Sequence, residues 1–174
     1  MIFRKTFVEE LFEIQTLKKG DSRGWFIRTY DFRLFQENIP SFCGRWVQMN
    51  HSFNSKKYTW RGFHFQNAPH QESKLVRCIS GRVLDCVLDL REHSKSFLEI
   101  FKTELSADND KMLYIPKGCA HGFLTLEKDS ELIYMHDEYY IKNLEFGVRY
   151  NDQKIKLNLP FLPKKISERD KNHP

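Results

Sequence analysis

Three segments of the chain gather side chains that can move protons. In Arg61-Gly62-Phe63-His64-Phe65-Gln66 a histidine lies between two phenylalanines in a strand-like run, on the face that also carries Gly62 and Gln66. In Ile115-Pro116-Lys117-Gly118-Cys119-Ala120-His121-Gly122-Phe123 a histidine follows a Pro-x-Gly turn and opens another strand-like run. The third segment, Ile133-Tyr134-Met135-His136-Asp137-Glu138-Tyr139-Tyr140, is an aromatic-rich strand end. Such residues suit general acid–base catalysis: an imidazole has an ordinary pKa of ~6.5, near working pH, and a phenol of ~10 keeps its proton until a strong base needs it. Each segment also has a plain structural reading, as a buried histidine or as aromatic packing.

Other chemistries are excluded by what is missing. No two of the eight glycines are spaced as GxG and no GKS or GKT occurs, which removes the dinucleotide fingerprint and the phosphate-binding loop. There is no GxSxG nucleophile elbow. Cys43, Cys78, Cys86 and Cys119 form no CxxC pair, and Cys78 and Cys86 fall in strand-like runs, so all four are expected reduced, and nothing in the sequence beside any of them would activate it as a nucleophile.

The elements that must position these residues read as short strands between frequent turns. Turn signals recur at Lys19-Gly20-Asp21, Asn54-Ser55-Lys56, Asn67-Ala68-Pro69, Ser80-Gly81, Ala107 to Asp110 and Pro116-Lys117-Gly118. The clearest two runs are Leu75 to Ile79 and Val83 to Leu90, parted by a Gly81-centred turn. In the second, Leu84, Cys86, Leu88 and Leu90 share one face while Val83, Asp85, Val87 and Asp89 take the other, so the aspartates line a pocket or a solvated face. Asp31 to Ile39 reads as one short helix capped by Asp31. Strands do not alternate with long amphipathic helices, which argues for an all-β barrel or sandwich in a single domain, 1–174, rather than a doubly wound fold.

Composition sets the remaining bounds. Aromatic residues make up 14% of the chain, which favours pleated surfaces. The net charge of +5 is spread along the sequence rather than gathered in a stripe, so no nucleic-acid partner is expected. The one basic cluster, Lys164, Lys165, Arg169 and Lys171, reads as a solvated tail. No apolar run is long enough for a membrane span or a signal peptide, and a soluble, cytoplasmic protein is expected.

The Pro116-to-His121 turn resembles the second motif of cupin barrels, implying a jelly-roll β-barrel with a few short helices. Cupins often hold a metal with histidines and a carboxylate. Here Gln66 stands two residues after His64, and Glu72 is displaced in spacing, so no metal is expected beside His64 and His121.

Taken together the segments resemble the dTDP-4-dehydrorhamnose 3,5-epimerase family over nearly the whole chain. Asp21 to Phe26 is similar to its D-x-R-G-x-F opening, and Gln48 to Ser52 to its Q-x-N-x-S strand. Trp60 to Gln66 is similar to LRGLHFQ, Gln71 to Cys78 to Q-x-K-L-V-x-C, and Gly81 to Arg91 to G-x-V-x-D-V-x-V-D-L-R. Ile115 to Leu126 is similar to IPxGxAHGFxTL, Gly147 to Asp152 to GIxWND, and Ile166 to Asp170 to LSxRD. The resemblance implies inversion of C3, C5 or both in a nucleoside-diphosphate 4-keto-6-deoxy sugar, with no cofactor. It implies His64 as base, Asp170 as its orienting carboxylate, Tyr134 as acid and Lys74 as stabiliser of the enolate oxygen. Asp85 and His121 would support the cavity, and Arg23, Phe26, Arg28, Gln48, Asn50, Arg61 and Tyr139 would bind substrate, with Arg23 and Arg61 on the diphosphate. Arg23 would come from a partner in a homodimer that exchanges N-terminal strands. Arg28 stands where thymidine-specific members usually carry a glutamate, which leaves cytidine and guanosine open. A cupin oxygenase is the alternative from another class.

Overall fold

The computed structural model describes residues 1–174, and its regular structure is almost wholly antiparallel strands, most of them in two facing sheets. The first has the order β1 (Ile2–Lys5), β2 (Phe12–Gln15), β10 (Lys111–Ile115), β7 (Lys74–Ser80), β12 (Ser130–His136), β5 (Gln48–Asn54). The second runs β13 (Glu145–Gly147), β6 (Trp60–Gln66), β11 (Cys119–Thr125), β8 (Arg82–Asp89), β9 (Ile100–Ser106). From β5 to β13 the chain changes sheets at nearly every connection, which gives a jelly roll of the cupin type. A separate hairpin, β3 (Lys18–Asp21) and β4 (Gly24–Ile27), stands off both sheets.

The runs on either side of Gly81 do not pair with each other. β7 lies in the first sheet and β8 in the second, and Gly81, at φ +68°, carries the chain across between them. β8 is buried on both faces. Val83 and Val87 pack between the sheets with Val76, Leu113, Phe123 and Leu132. Cys86 and Leu88 face outward, under a cover made by Ile155 and the segment around it. The aspartate face is therefore interior rather than solvated.

Asp31 caps helix α1 (Phe32–Asn38), accepting from the Leu34 amide at 3.3 Å. α1 lays Phe35 over the outer face of the first sheet, against Phe12, Ile14, Met112 and Tyr114. The C-terminal basic stretch is not a free tail. Its backbone runs beside β6, where Trp60 N donates to Lys165 O, and it ends in the single-turn helix α2 (Glu168–Lys171). The four cysteines are free thiols, and burial pushes Cys78 up to about 11 and Cys119 up to about 12. No helix is long and apolar enough to cross a membrane.

Candidate active site

β6 and β11 build one wall of the site. His64 and His121 sit opposite each other in the ladder, and the strands approach closely because Gly62 meets Gly122 there. A Cβ on Gly62 would fall on the Gly122 Cα, and one on Gly122 would come within 2.9 Å of the Trp60 ring and 3.1 Å of Arg61 O. Gly62 also holds φ +130°, a conformation that side chains disfavour.

His64 Nε2 lies 2.8 Å from Asp170 Oδ1. Asp170 is delivered by α2, whose cap Ser167 accepts the Asp170 amide through its hydroxyl at 3.0 Å. Its other oxygen accepts the Gly62 amide at 3.1 Å. The residue is 4% exposed. Burial raises its pKa, but the imidazole and these hydrogen bonds outweigh burial and hold the carboxyl below its usual range. A carboxylate accepting from Nε2 keeps the imidazole proton there and leaves the Nδ1 lone pair free. His121 makes the same kind of pair deeper in, with Asp85 at 2.8 Å. Burial pushes the Asp85 carboxyl up, against the pull of His121.

The facing wall comes from the first sheet. Tyr134 on β12 hydrogen-bonds Ser52 of β5 through its hydroxyl at 2.9 Å, and its ring centroid lies 6.0 Å from that of His121. Burial pushes the phenol well above its ordinary value, with the Asp85 charge adding to the shift and the Ser52 hydrogen bond opposing it. Lys74 opens β7 with its ammonium 3.0 Å from Glu72 Oε1, and donates to the His64 carbonyl at 3.3 Å. The other Glu72 oxygen lies 2.7 Å from His136 Nδ1, and Asn50 closes the chain 3.3 Å from His136 Nε2. Burial alone would raise the Glu72 pKa. The Lys74 charge and the His136 hydrogen bond overcome it and bring the carboxyl down to about 2.

These groups enclose a cavity of about 330 Å³ that Gln48, Asn50, Arg61, His64, Lys74, His121 and Tyr134 all line. Asp85 lies one layer beneath it. Tyr139 does not line it in the single chain; Tyr140 does. Arg23, Phe26 and Arg28 stand away from it on and after the β3–β4 hairpin. There Arg23 pairs with Asp21 at 2.6 Å and Arg28 with Asp31 at 2.9 Å. Sequence reasoning assigned no role to Ser52 or His136, and considered Glu72 only as a metal ligand. A usable signal existed: Gln48, Asn50 and Ser52 share a strand face by the two-residue period, as do Tyr134 and His136. Arg169 belongs to the cavity rim rather than to a solvated tail, held 2.7 Å from Glu145. His64, Glu72 and His121 form no metal-ligand cluster, since Glu72 is committed to Lys74 and His136.

A family model described as dTDP-4-dehydrorhamnose 3,5-epimerase matches residues 5–174. The dTDP-4-dehydrorhamnose 3,5-epimerase of Salmonella typhimurium is 39% identical over 164 residues, covering 92% of this chain and 87% of its own. The crystal structure of the enzyme of that name from Elizabethkingia anophelis superposes with a TM-score of 0.93 at 36% identity, over 100% of this chain and 95% of the other. A Legionella pneumophila 3,5-epimerase solved with dTDP-4-keto-L-rhamnose gives 0.91 at 31% identity, over 99% and 90%.

Proposed function

The chain belongs to the dTDP-4-dehydrorhamnose 3,5-epimerase family and is an isomerase, and from that premise we propose that it inverts C3 and C5 of a dTDP-4-keto-6-deoxy sugar by proton transfer alone. One observation carries this reading: a His64–Asp170 pair and the Tyr134 hydroxyl stand on facing walls of one cavity, with the Lys74 ammonium in the same space.

A ketone at C4 makes the hydrogens on C3 and C5 acidic, because the carbanion left behind is an enolate. Inversion removes a proton from one face of the ring and returns one to the other. His64 takes the proton on Nδ1, the nitrogen left free by Asp170, and the carboxylate then stabilises the imidazolium. Tyr134, kept protonated by its raised pKa, delivers a proton to the opposite face. The ammonium of Lys74 has three protons; Glu72 and the His64 carbonyl engage two, and the third is free for the enolate oxygen. Arg61, on the cavity wall, suits the diphosphate. Gln48, Asn50 and His121 orient the sugar.

The β3–β4 hairpin completes the reading. In the single chain Trp25 is 59% and Phe26 67% exposed, and Arg23 points to solvent. An exchanged N-terminal strand in a homodimer gives Arg23, Phe26 and Arg28 a partner's cavity to enter, with Arg23 on the diphosphate and Phe26 and Arg28 at the nucleotide. Tyr139, exposed beside the cavity-lining Tyr140, is proposed to meet substrate in the same dimer.

The test is incubation in D2O with dTDP-, CDP- and GDP-linked 4-keto-6-deoxy sugars, with deuterium located by NMR. Label at C3 and C5 of the dTDP sugar is expected. Label at one carbon would make this a single-centre epimerase, and no label in any of the three would overturn the proposal.

A further inference from the structure

One imidazole beside His64 lacks a hydrogen bond at a buried nitrogen. His173 is 10% exposed at its side chain, and its Nε2 is buried without a hydrogen bond. A buried ring nitrogen left unpaired is costly and calls for an explanation. The ring is lodged over Gly147, where a Cβ would fall directly on it, and Gly147 sits opposite His64 in the β13–β6 ladder. From there His173 Nε2 faces Asp170 Oδ1 at 3.7 Å, the same oxygen that lies 2.8 Å from His64 Nε2. One donor atom from each of the three residues lies within 4.8 Å of the other two.

Two imidazoles and a carboxylate are a donor set suited to zinc and its neighbours in the first transition row. With bonds of about 2.0–2.1 Å, the donors of a tetrahedral ion lie about 3.3 Å apart. The two separations from Asp170 Oδ1, 2.8 and 3.7 Å, bracket that value, and the third pair of donors lies within 4.8 Å, so the side chains need only rearrange locally to close on an ion. Three protein ligands leave a fourth position open. We propose that His64, Asp170 and His173 form a binding site for a divalent ion of the zinc class, and that its occupation switches the base off.

The switch follows from proton bookkeeping on one ring. In the metal-free protein the His64 proton is on Nε2, donated to Asp170, and the Nδ1 lone pair is free. An ion takes the Nε2 lone pair. The single ring proton must then reside on Nδ1, moving there through solvent, and the nitrogen that faces substrate has no lone pair left. Asp170 stays a carboxylate and exchanges a hydrogen bond for a metal bond. This inhibition rests on the proposed role of His64; the binding site itself does not.

The test therefore reads binding apart from turnover. The full chain is titrated with Co2+, followed by its visible absorption, and with Zn2+ by calorimetry. The wild type is compared with His173→Phe, which fills the hollow without a donor, and with Gly147→Ala, which displaces His173. One ion per chain is expected, bound at least about tenfold more weakly in both variants. Zinc should also suppress deuterium exchange in the wild type, reversibly with chelator, but not at the same concentration in His173→Phe. Absence of saturable binding, or equal affinity in wild type and variants, overturns the proposal. Should the variants not fold, a zinc-edge anomalous map of soaked wild-type crystals decides, with a peak among the three side chains or elsewhere. Metal-free wild type that shows no exchange would defeat the epimerase reading, while the titration still judges the site.

Discussion

The placement of the Lys74 ammonium depends on Glu72. A buried ammonium needs a counter-charge, and removing one partner of a buried pair costs about 3 kcal/mol or more. Glu72 has its pKa moved from an ordinary 4.5 down to about 2. Because the folded value is the lower one, its contribution is whole above about pH 4.5 and is lost as the pH falls towards 2. Glu72→Gln should lower stability by roughly 3 kcal/mol at neutral pH, and the gap from wild type should narrow below pH 4.5. Denaturant unfolding of both proteins across that range checks this; a gap that ignores pH would show that Glu72 is not held as a carboxylate by Lys74 and His136. The presence of His64, Lys74 and Asp170 in the cavity region was legible in the sequence because each sits in a family-like motif, and Tyr134 because it lies in an aromatic-rich strand end that the family resemblance singles out. Glu72 and His136 were not assigned to this network because their pairing crosses from the loop before one strand to the end of another, and no local spacing records it.

Elements were easier to read than their partners. The helix at 32–38 follows from its Asp31 cap, and β8 follows from its alternating faces. Which sheet each strand joins was not legible: the Gly81 turn looks like a hairpin in sequence, yet it changes sheets, because both faces of β8 are apolar enough to be buried. The meeting of Gly62 and Gly122 is likewise a property of two strands 60 residues apart in the chain. It sets how near β6 and β11 lie, and with that the positions of His64 and His121. Gly122→Ala must push the Trp60 ring and the β6 backbone outward. It should cost about 1–3 kcal/mol, read as a lower Tm, and slow turnover by displacing both histidines. An unchanged Tm would mean that the strands have room to separate there.

For the whole molecule, the jelly roll matters because it sets two sheets face to face and leaves a polar cavity between them beside an apolar core. His64 enters that cavity from one sheet and Tyr134 from the other, so in the proposed roles of base and acid they suit inversion better than removal and return of a proton on one face. Composition and turn spacing were enough to expect an all-β barrel or sandwich, and the cupin-like turn pointed to the barrel, but the opposition of His64 and Tyr134 depends on sheet membership, which only the folded chain displays. The same is true of the β3–β4 hairpin, where Trp25 and Phe26 stay more than half exposed in the single chain although the Lys18 ammonium lies 4.6 Å from the Trp25 ring. The most direct test of two-sided proton transfer is Tyr134→Phe in D2O with the dTDP-4-keto-6-deoxy sugar. This variant should still wash deuterium into the carbon facing His64 with configuration retained. Epimer formation should fall by about 10²–10⁴-fold, and His64→Ala should lose both processes. Tyr134→Phe that inverts at the wild-type rate would contradict two-sided proton transfer.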